Sequence, residues 1–376
     1  MLRDNAKNMT KGLEDAGACS VGCLAHTLQL AVNAGLESQR ALEDAVAICR
    51  KIATHFRHST LAKERLRDIQ QATSDANCHQ IVQDVQTRWN STFYMVQRLL
   101  EQKKAVINYA TDYDLPAVPT KHQWSLLEKL VDLLEPFEEL TRQLSSDDAT
   151  LADVIPVVTA LQLTLERHEN DTGVQTMKGV LLDELKTRFA SMHEQSLLVV
   201  ATVVDPWYKT KFFTDERLDD ARKMVVTAVR SSQSPAAEED ANPPATKRPR
   251  TEATTKLSNI MDDILERGVR PASEVEQQRV VEAAVPGTDS AEEQVRLYLA
   301  QPNIPRSESP TAWWQANAGL FPQVAEVARR YLSAPATSVP SERLFSAAGL
   351  IYTDRRNRLL PERVEMLLFI RHNLTV

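Results

Sequence analysis

The sequence predicts a mostly α-helical protein. Only ten glycines stand among 376 residues, too few for the many tight turns of a β-rich fold. Leu, Ala, Glu and Gln are frequent, and all four favour helix. Apolar residues recur at three- and four-residue intervals over most of the chain, the spacing of one helical face. Hydrophobic residues at 43% and charged residues at 25% are ordinary for a globular chain with length enough for about two or three domains. The formal net charge of −7 excludes a uniformly nucleic-acid-coating surface, so any DNA contact is expected from a local basic patch.

The chain opens with Asp4-Asn5-Ala6, which suits the end of a strand turning into a helix. The strand expected before it is not evident, which points to a truncated or alternative start. Ser20 to Cys23 reads as a short buried strand, followed by helical spacing through Leu28, Val32 and Leu36. Val46, Ile48, Ile52, Phe56 and Leu61 predict a helix over 42–66. A polar stretch over 70–79 predicts a loop, and Val85 to Thr92 opens the next helix. Trp124, Leu127, Leu130, Leu134, Phe137, Leu140 and Leu144 form one long stripe, with Pro136 expected to bend it. Val154 to Leu165 and Met177 to Met192 predict two more helices packed into the same core.

Leu197 to Val204 is apolar throughout, so periodicity leaves strand and helix open. Asp205-Pro206-Trp207-Tyr208-Lys209 ends it, and a helix is expected over 216–230. Residues 231–256 turn rich in Ser, Pro, Ala, Glu and Thr, the composition of a disordered linker. Lys247-Arg248-Pro249-Arg250 within it is a candidate nuclear import signal or simply a solvated basic run. Two weaker helices follow over 257–300, then a proline-marked loop to Pro310. Near the C-terminus, Ser341 is placed to cap a helix opened by Glu342, and Pro361 to start a closing helix over Val364 to Ile370.

Cys19, Cys23, Cys49 and Cys78 all fall early, with no secretory leader before them, so reduced thiols in the cytosol or nucleus are expected. No run approaches the roughly 20 apolar residues of a membrane span, and no phosphate loop, nucleophile elbow or metalloprotease helix occurs. No membrane partner or small-molecule substrate is expected. Cys23-x-x-His26 is half of a tetrahedral zinc site. Cys49, Cys78 and His79 stand at no regular spacing to it, so zinc is not assigned.

Asp4, Cys23-x-x-His26, Arg88-Trp89, Asp205-Pro206, Trp313-Trp314 and Pro335-x-x-Ser338-x-x-Ser341-Glu342-Arg343-Leu344-Phe345-Ser346 occur in that order. Together they resemble the hAT superfamily of DNA transposases, and especially its nuclear relatives with BED-type zinc fingers. The resemblance implies the remnant of an RNase H-like α/β core interrupted by a large helical insertion domain. The implied divisions are a partial core over 1–36, the insertion over 37–230, the linker over 231–256, a connection over 257–310 and a C-terminal dimerisation region over 311–376.

In that family two aspartates and a glutamate hold two divalent metals, hard cations that need oxygen ligands. Asp4 matches the second aspartate and Glu342 the glutamate, so both are the implied catalytic and metal-binding residues. The first aspartate and the BED finger are expected upstream of Met1, and Trp207 stands where the family has arginine. The resemblance places His26 near DNA. Arg88 and Trp89 are either a core tryptophan with its arginine or, by the resemblance, a phosphate contact and a base-stacking ring. Arg355 and Arg356 are further DNA candidates. Trp313, Trp314, Phe321, Leu344, Phe345, Leu367, Leu368 and Phe369 are the expected dimer interface.

The resulting expectation is a transposase-derived nuclear protein that forms a homodimer and binds DNA or chromatin partners without catalysis and without a cofactor. Lys247, Arg248 and Arg250 would direct import. The alternatives are an active transposase using Mg or Mn, and a helical protein-interaction scaffold.

Overall fold

The computed structural model describes residues 2–3, 6–18, 20–72, 78–145, 149–167, 171–232, 256–267, 290–351 and 359–373. Seventeen α-helices account for most of them, as the composition implies. Asp4, the basic run at Lys247, Arg248 and Arg250, nearly all of the 231–256 linker, and Arg355 and Arg356 lie outside the described residues.

Strand β1 (Leu2–Arg3) runs parallel to β2 (Val21–Gly22), with Leu2 opposite Val21 and Arg3 opposite Gly22. Helix α1 (Lys7–Asp15) connects them. The strand thought absent before Asp4 is therefore present, as the two residues immediately preceding it. Among the described residues these two strands are the whole sheet, which is not by itself an RNase H-like core.

Helix α2 (Leu24–Glu37) follows at once and buries Leu24, Leu28, Ala31 and Val32. The 42–66 stretch is two helices, α3 (Arg40–His58) and α4 (Thr60–Ala72). Ser59 adopts an extended conformation between them, and its hydroxyl accepts from Ala62 N–H, as a cap does. Helices α5 (Trp89–Glu101), α6 (Lys103–Asp112) and the 24-residue α7 (Lys121–Leu144) come next. Thr120 and Gln123 form a reciprocal capping box at the start of α7. Pro136 sits inside that helix without ending it.

A 3₁₀ turn, Leu151–Asp153, leads into α8 (Val154–Glu166), and α9 (Gln175–Arg188) packs across α2. The approach is close at Gly35, where a Cβ would stand 2.8 Å from Leu181 Cδ2. The ambiguous apolar run is helix α10 (Ser196–Val204), buried nearly all round. It lies among α8, α11 (Asp215–Ser232) and the 3₁₀ turn. Burial on every side is why its sequence lacks a period.

Helices α12 (Lys256–Arg267) and α13 (Ser290–Ala300) pack against α8 and α11 respectively. They precede α14 (Pro310–Asn317) and α15 (Pro322–Leu332). The last two helices are α16 (Val339–Ile351) and α17 (Pro361–Asn373). Buried side chains from Val21 to Ala336 form one continuous core, and each fully buried Leu or Ile contributes about 1.5–3 kcal/mol. Among the described residues no helix is long and apolar enough to cross a membrane.

Residues 334–338 are the strap that closes this arrangement. Leu151 N–H donates to Ala334 O (2.9 Å), Ala336 N–H to Ala149 O (3.4 Å), and Leu24 N–H to Ala336 O (3.2 Å). Thr337 Oγ1 donates to Leu144 O at 3.2 Å. The C-terminal region is thereby tied to the end of α7, to the 3₁₀ turn and to the start of α2.

Candidate functional site

The start of α2 is where the two ends of the chain meet. Cys23 precedes the helix, and its backbone N–H donates to Arg3 O at 2.7 Å. Its buried sulfur lies 3.3 Å from both the backbone nitrogen and the hydroxyl of Ser338. The Ser338 hydroxyl also donates to Glu342 Oε1 at 2.8 Å. A hydroxyl has one proton. With that proton on Glu342, the Cys23 thiol is left to donate to Ser338 Oγ while accepting from the Ser338 N–H. Glu342 is thus linked through two side chains to the residue after β2, beside the end of β1.

The first helical residue here is Val339, so Ser341 sits inside the opening turn and does not cap it. Ser338 holds the position before the helix. Its carbonyl accepts from Glu342 N–H at 2.9 Å. Glu342 itself is exposed. Among the described residues no group of three His, Cys, Asp or Glu side chains is placed to hold a metal ion. Glu342 supplies one hard oxygen donor, and the described residues do not complete a two-metal site.

One turn into α2, His26 is exposed. Gln29, one turn further, accepts from Trp89 N–H at 3.3 Å, which brings the start of α5 beside α2. Arg88 is exposed there, and its guanidinium forms no ion pair among the described residues. Trp89 takes the core alternative. It is only 1% exposed and meets Phe93 edge to face, so neither ring face is open to a base.

The expected dimer interface divides in two. Trp314 and Phe321 are buried inside the chain, and Trp314 Nε1 donates to Val204 O at 3.0 Å. Tyr298 packs against Trp313, Trp314 and Phe321, with Trp313 stacked on Phe321 at 10° between ring planes. Trp314 and Phe321 help fix α14 and α15 onto α10 and belong to the core rather than to an exposed interface, while Trp313 is half-buried. Leu344, Phe345, Leu367 and Phe369 are exposed, Phe345 at 76% and Phe369 at 69%, and Leu368 is half-buried. Helices α16 and α17 pack chiefly on each other, and neither buries a single described side chain.

Lys209 was missed by sequence reasoning. It has a positive φ of 45°, uncommon for a residue with a side chain. Its buried ammonium donates to the carbonyls of Tyr298 (3.1 Å), Gln301 (2.6 Å) and Pro302 (3.2 Å), the C-terminal end of α13. It also lies 4.7 Å from the Tyr298 ring centroid. Burial pulls its pKa down to about 7. Beside it, Trp207 Nε1 donates to Pro305 O and Glu308 O, and Tyr208 OH to Asp153 at 2.7 Å. The Asp205-to-Lys209 motif is a staple on the C-terminal region. Only its position after an apolar run was visible in sequence, because its acceptors are backbone carbonyls about 90 residues away.

A family model described as the hAT family C-terminal dimerisation region matches residues 294–374. A second, described as the ZBED1 RNase-like helical domain, matches residues 21–133. The chain thus carries a hAT-type C-terminal dimerisation region and a ZBED1-like helical domain, and the proteins it resembles are ZBED proteins and hAT transposases. The dimerisation match takes in most of α13 and the loop stapled by Trp207 and Lys209, as well as the exposed α16–α17 pair. The chain is 28% identical to human zinc finger BED domain-containing protein 4 over 99% of its own length and 31% of the relative's. It is 26% identical to human zinc finger BED domain-containing protein 6, over 100% of this chain and 40% of that one. The putative AC transposase of Zea mays is 26% identical over 98% of this chain and 45% of its own. The chain thus spans less than half the length of these proteins.

Proposed function

We propose that this transposase-derived chain works in the nucleus as a homodimer joined through α16 and α17, and that the dimer binds DNA through the surface around His26 and Arg88. The observation that carries the dimer is the exposed apolar pair of helices, with Phe345 and Phe369 uncovered, inside a hAT dimerisation match. Uncovered aromatic and aliphatic surface of this kind is characteristic of an interface. Sedimentation of the full chain should give a dimer at micromolar concentration, reduced to monomer by Phe345→Asp with Phe369→Asp. A monomer at high micromolar concentration would overturn the reading.

DNA binding rests on Arg88, exposed and without a counter-ion among the described residues, and on the exposed His26 on α2, the helix that the Gln29–Trp89 bond ties to the start of α5. Binding should weaken with salt and with Arg88→Ala. Salt-insensitive or absent binding would leave the helical scaffold reading in its place. The proposal includes no strand cleavage. The anchoring of Glu342 through Ser338 and Cys23 favours one further reading, retained nuclease chemistry. Cleavage of a terminal-repeat duplex with Mg or Mn, abolished by Glu342→Gln, would establish it.

A further inference from the structure

Two surface hollows are lined by several cations, and they differ in one respect. The larger, about 720 Å³ between α11 and α13, has its cations already neutralised: Arg230 pairs with Glu292 at 2.9 Å and Arg296 with Glu293. The smaller, about 130 Å³, lies between α4 and the segment 78–81. Lys63 and Arg67 stand on its α4 wall, four residues apart and both exposed. Neither has a counter-ion or a side-chain hydrogen bond among the described residues. No carboxylate lines the cavity among those residues. Like charges one turn apart repel, and among the described residues no carboxylate is paired with either.

The opposite wall is built rather than incidental. Gln70, itself buried, donates to His79 O at 2.9 Å and to Gln102 Oε1 at 2.8 Å. Arg98 Nη1 donates to Gln80 O at 3.3 Å. His79 Nδ1 is bonded to Glu101, and Nε2 has no hydrogen-bond partner among the described residues. Phe56, Leu66 and Ile81 complete the lining. The volume is that of a few waters, the scale of one tetrahedral oxyanion and too small for a nucleoside.

We propose that the Lys63–Arg67–His79 pocket receives one phosphate of a nucleic acid backbone. A guanidinium-bearing and an ammonium-bearing residue lining a space of this size match a phosphate's charge. A backbone phosphate is favoured as the source because the lining segment 78–81 leads along the chain to the exposed Arg88. From His79 to Arg88 is nine residues, at most about 32 Å of extended chain, so one nucleic acid reaches both. The inference deepens the DNA-binding reading and rests on it.

The test uses the full chain and the variant Lys63→Gln with Arg67→Gln, both sites being exposed, with Lys51→Gln on α3 as a charge control. Two probes are titrated: a DNA duplex at several salt concentrations, and inorganic phosphate alone by calorimetry. In the double variant the slope of log K against log[salt] should fall in magnitude by about 0.9, with binding about eightfold weaker at 0.1 M salt. The phosphate isotherm should vanish, and the control should match wild type in both. Loss of phosphate binding with an unchanged DNA slope would overturn the assignment in favour of a free or non-nucleic phosphate. No change with either probe would overturn the anion site itself. Should the wild type bind phosphate but no DNA, the backbone assignment fails together with the DNA-binding reading, whereas DNA binding without a change of slope defeats the pocket alone.

Discussion

The two parts of the C-terminal region use the same residue types to opposite ends. Over 298–332, Tyr298, Trp313, Trp314 and Phe321 turn inward around Lys209, and Trp314 finds a carbonyl for its indole N–H inside the chain. Over 339–373, Phe345 and Phe369 are exposed. Aromatic content therefore marks a place where apolar surface is to be covered, without saying by which chain. For Trp314 the polar handle tells: its indole N–H is satisfied inside the chain, which ties that ring to the monomer.

That contrast can be broken at four points. Trp314→Ala should destabilise the chain by about 3–5 kcal/mol in denaturant unfolding; a loss under 1 kcal/mol would show that the inward cluster is not core. Phe345→Asp with Phe369→Asp should leave monomer unfolding nearly unchanged. It should weaken dimerisation by about thirtyfold or more, the effect of losing one interface anchor of about 2 kcal/mol, read by sedimentation.

At the joint between the two parts, Ser338→Ala removes the hydroxyl shared by Cys23 and Glu342. It should cost about 0.5–1.5 kcal/mol, and an unaltered melting curve would mean the joint is slack. The smallest effect is a pH slope from Lys209. Its folded pKa of about 7 lies below its ordinary value of 10.5, so between the two the unfolded chain holds more protons. Stability contributed at this site is then lowest below pH 7 and rises towards pH 10.5. The gain should be about 0.7 kcal/mol from pH 6.5 to 7.5, and Lys209→Met should flatten it.

Helical faces were legible in the sequence because a half-buried helix writes its burial at a fixed period. The stripe from Trp124 to Leu144 is one such helix, continuous through Pro136. Helix α10 was illegible for the converse reason: buried on all sides, it has no polar face to set the phase. Helix α16 opens at Val339, before the expected Ser341 cap, since Ser338 and Ser341 are chemically alike and only the bonds to Cys23 and Glu342 separate them. Trp89 carried the same ambiguity, because its neighbour Arg88 is exposed while its own ring is not. Lys209 left no trace, because backbone carbonyls have no residue signature. The Lys63–Arg67 pair was visible as letters, but its lack of a counter-ion exists only in three dimensions.

The strap has a consequence for the order of events at the ribosome. Cys23 and Ser338 are 315 residues apart in sequence. At about 5–20 residues per second, the intervening chain takes roughly 16–63 s to synthesise. During that interval the start of α2 exists without the Ala336 carbonyl and the Ser338 hydroxyl that later fix it. The start of α2, made 315 residues before Ser338, is thus among the last segments to be locked.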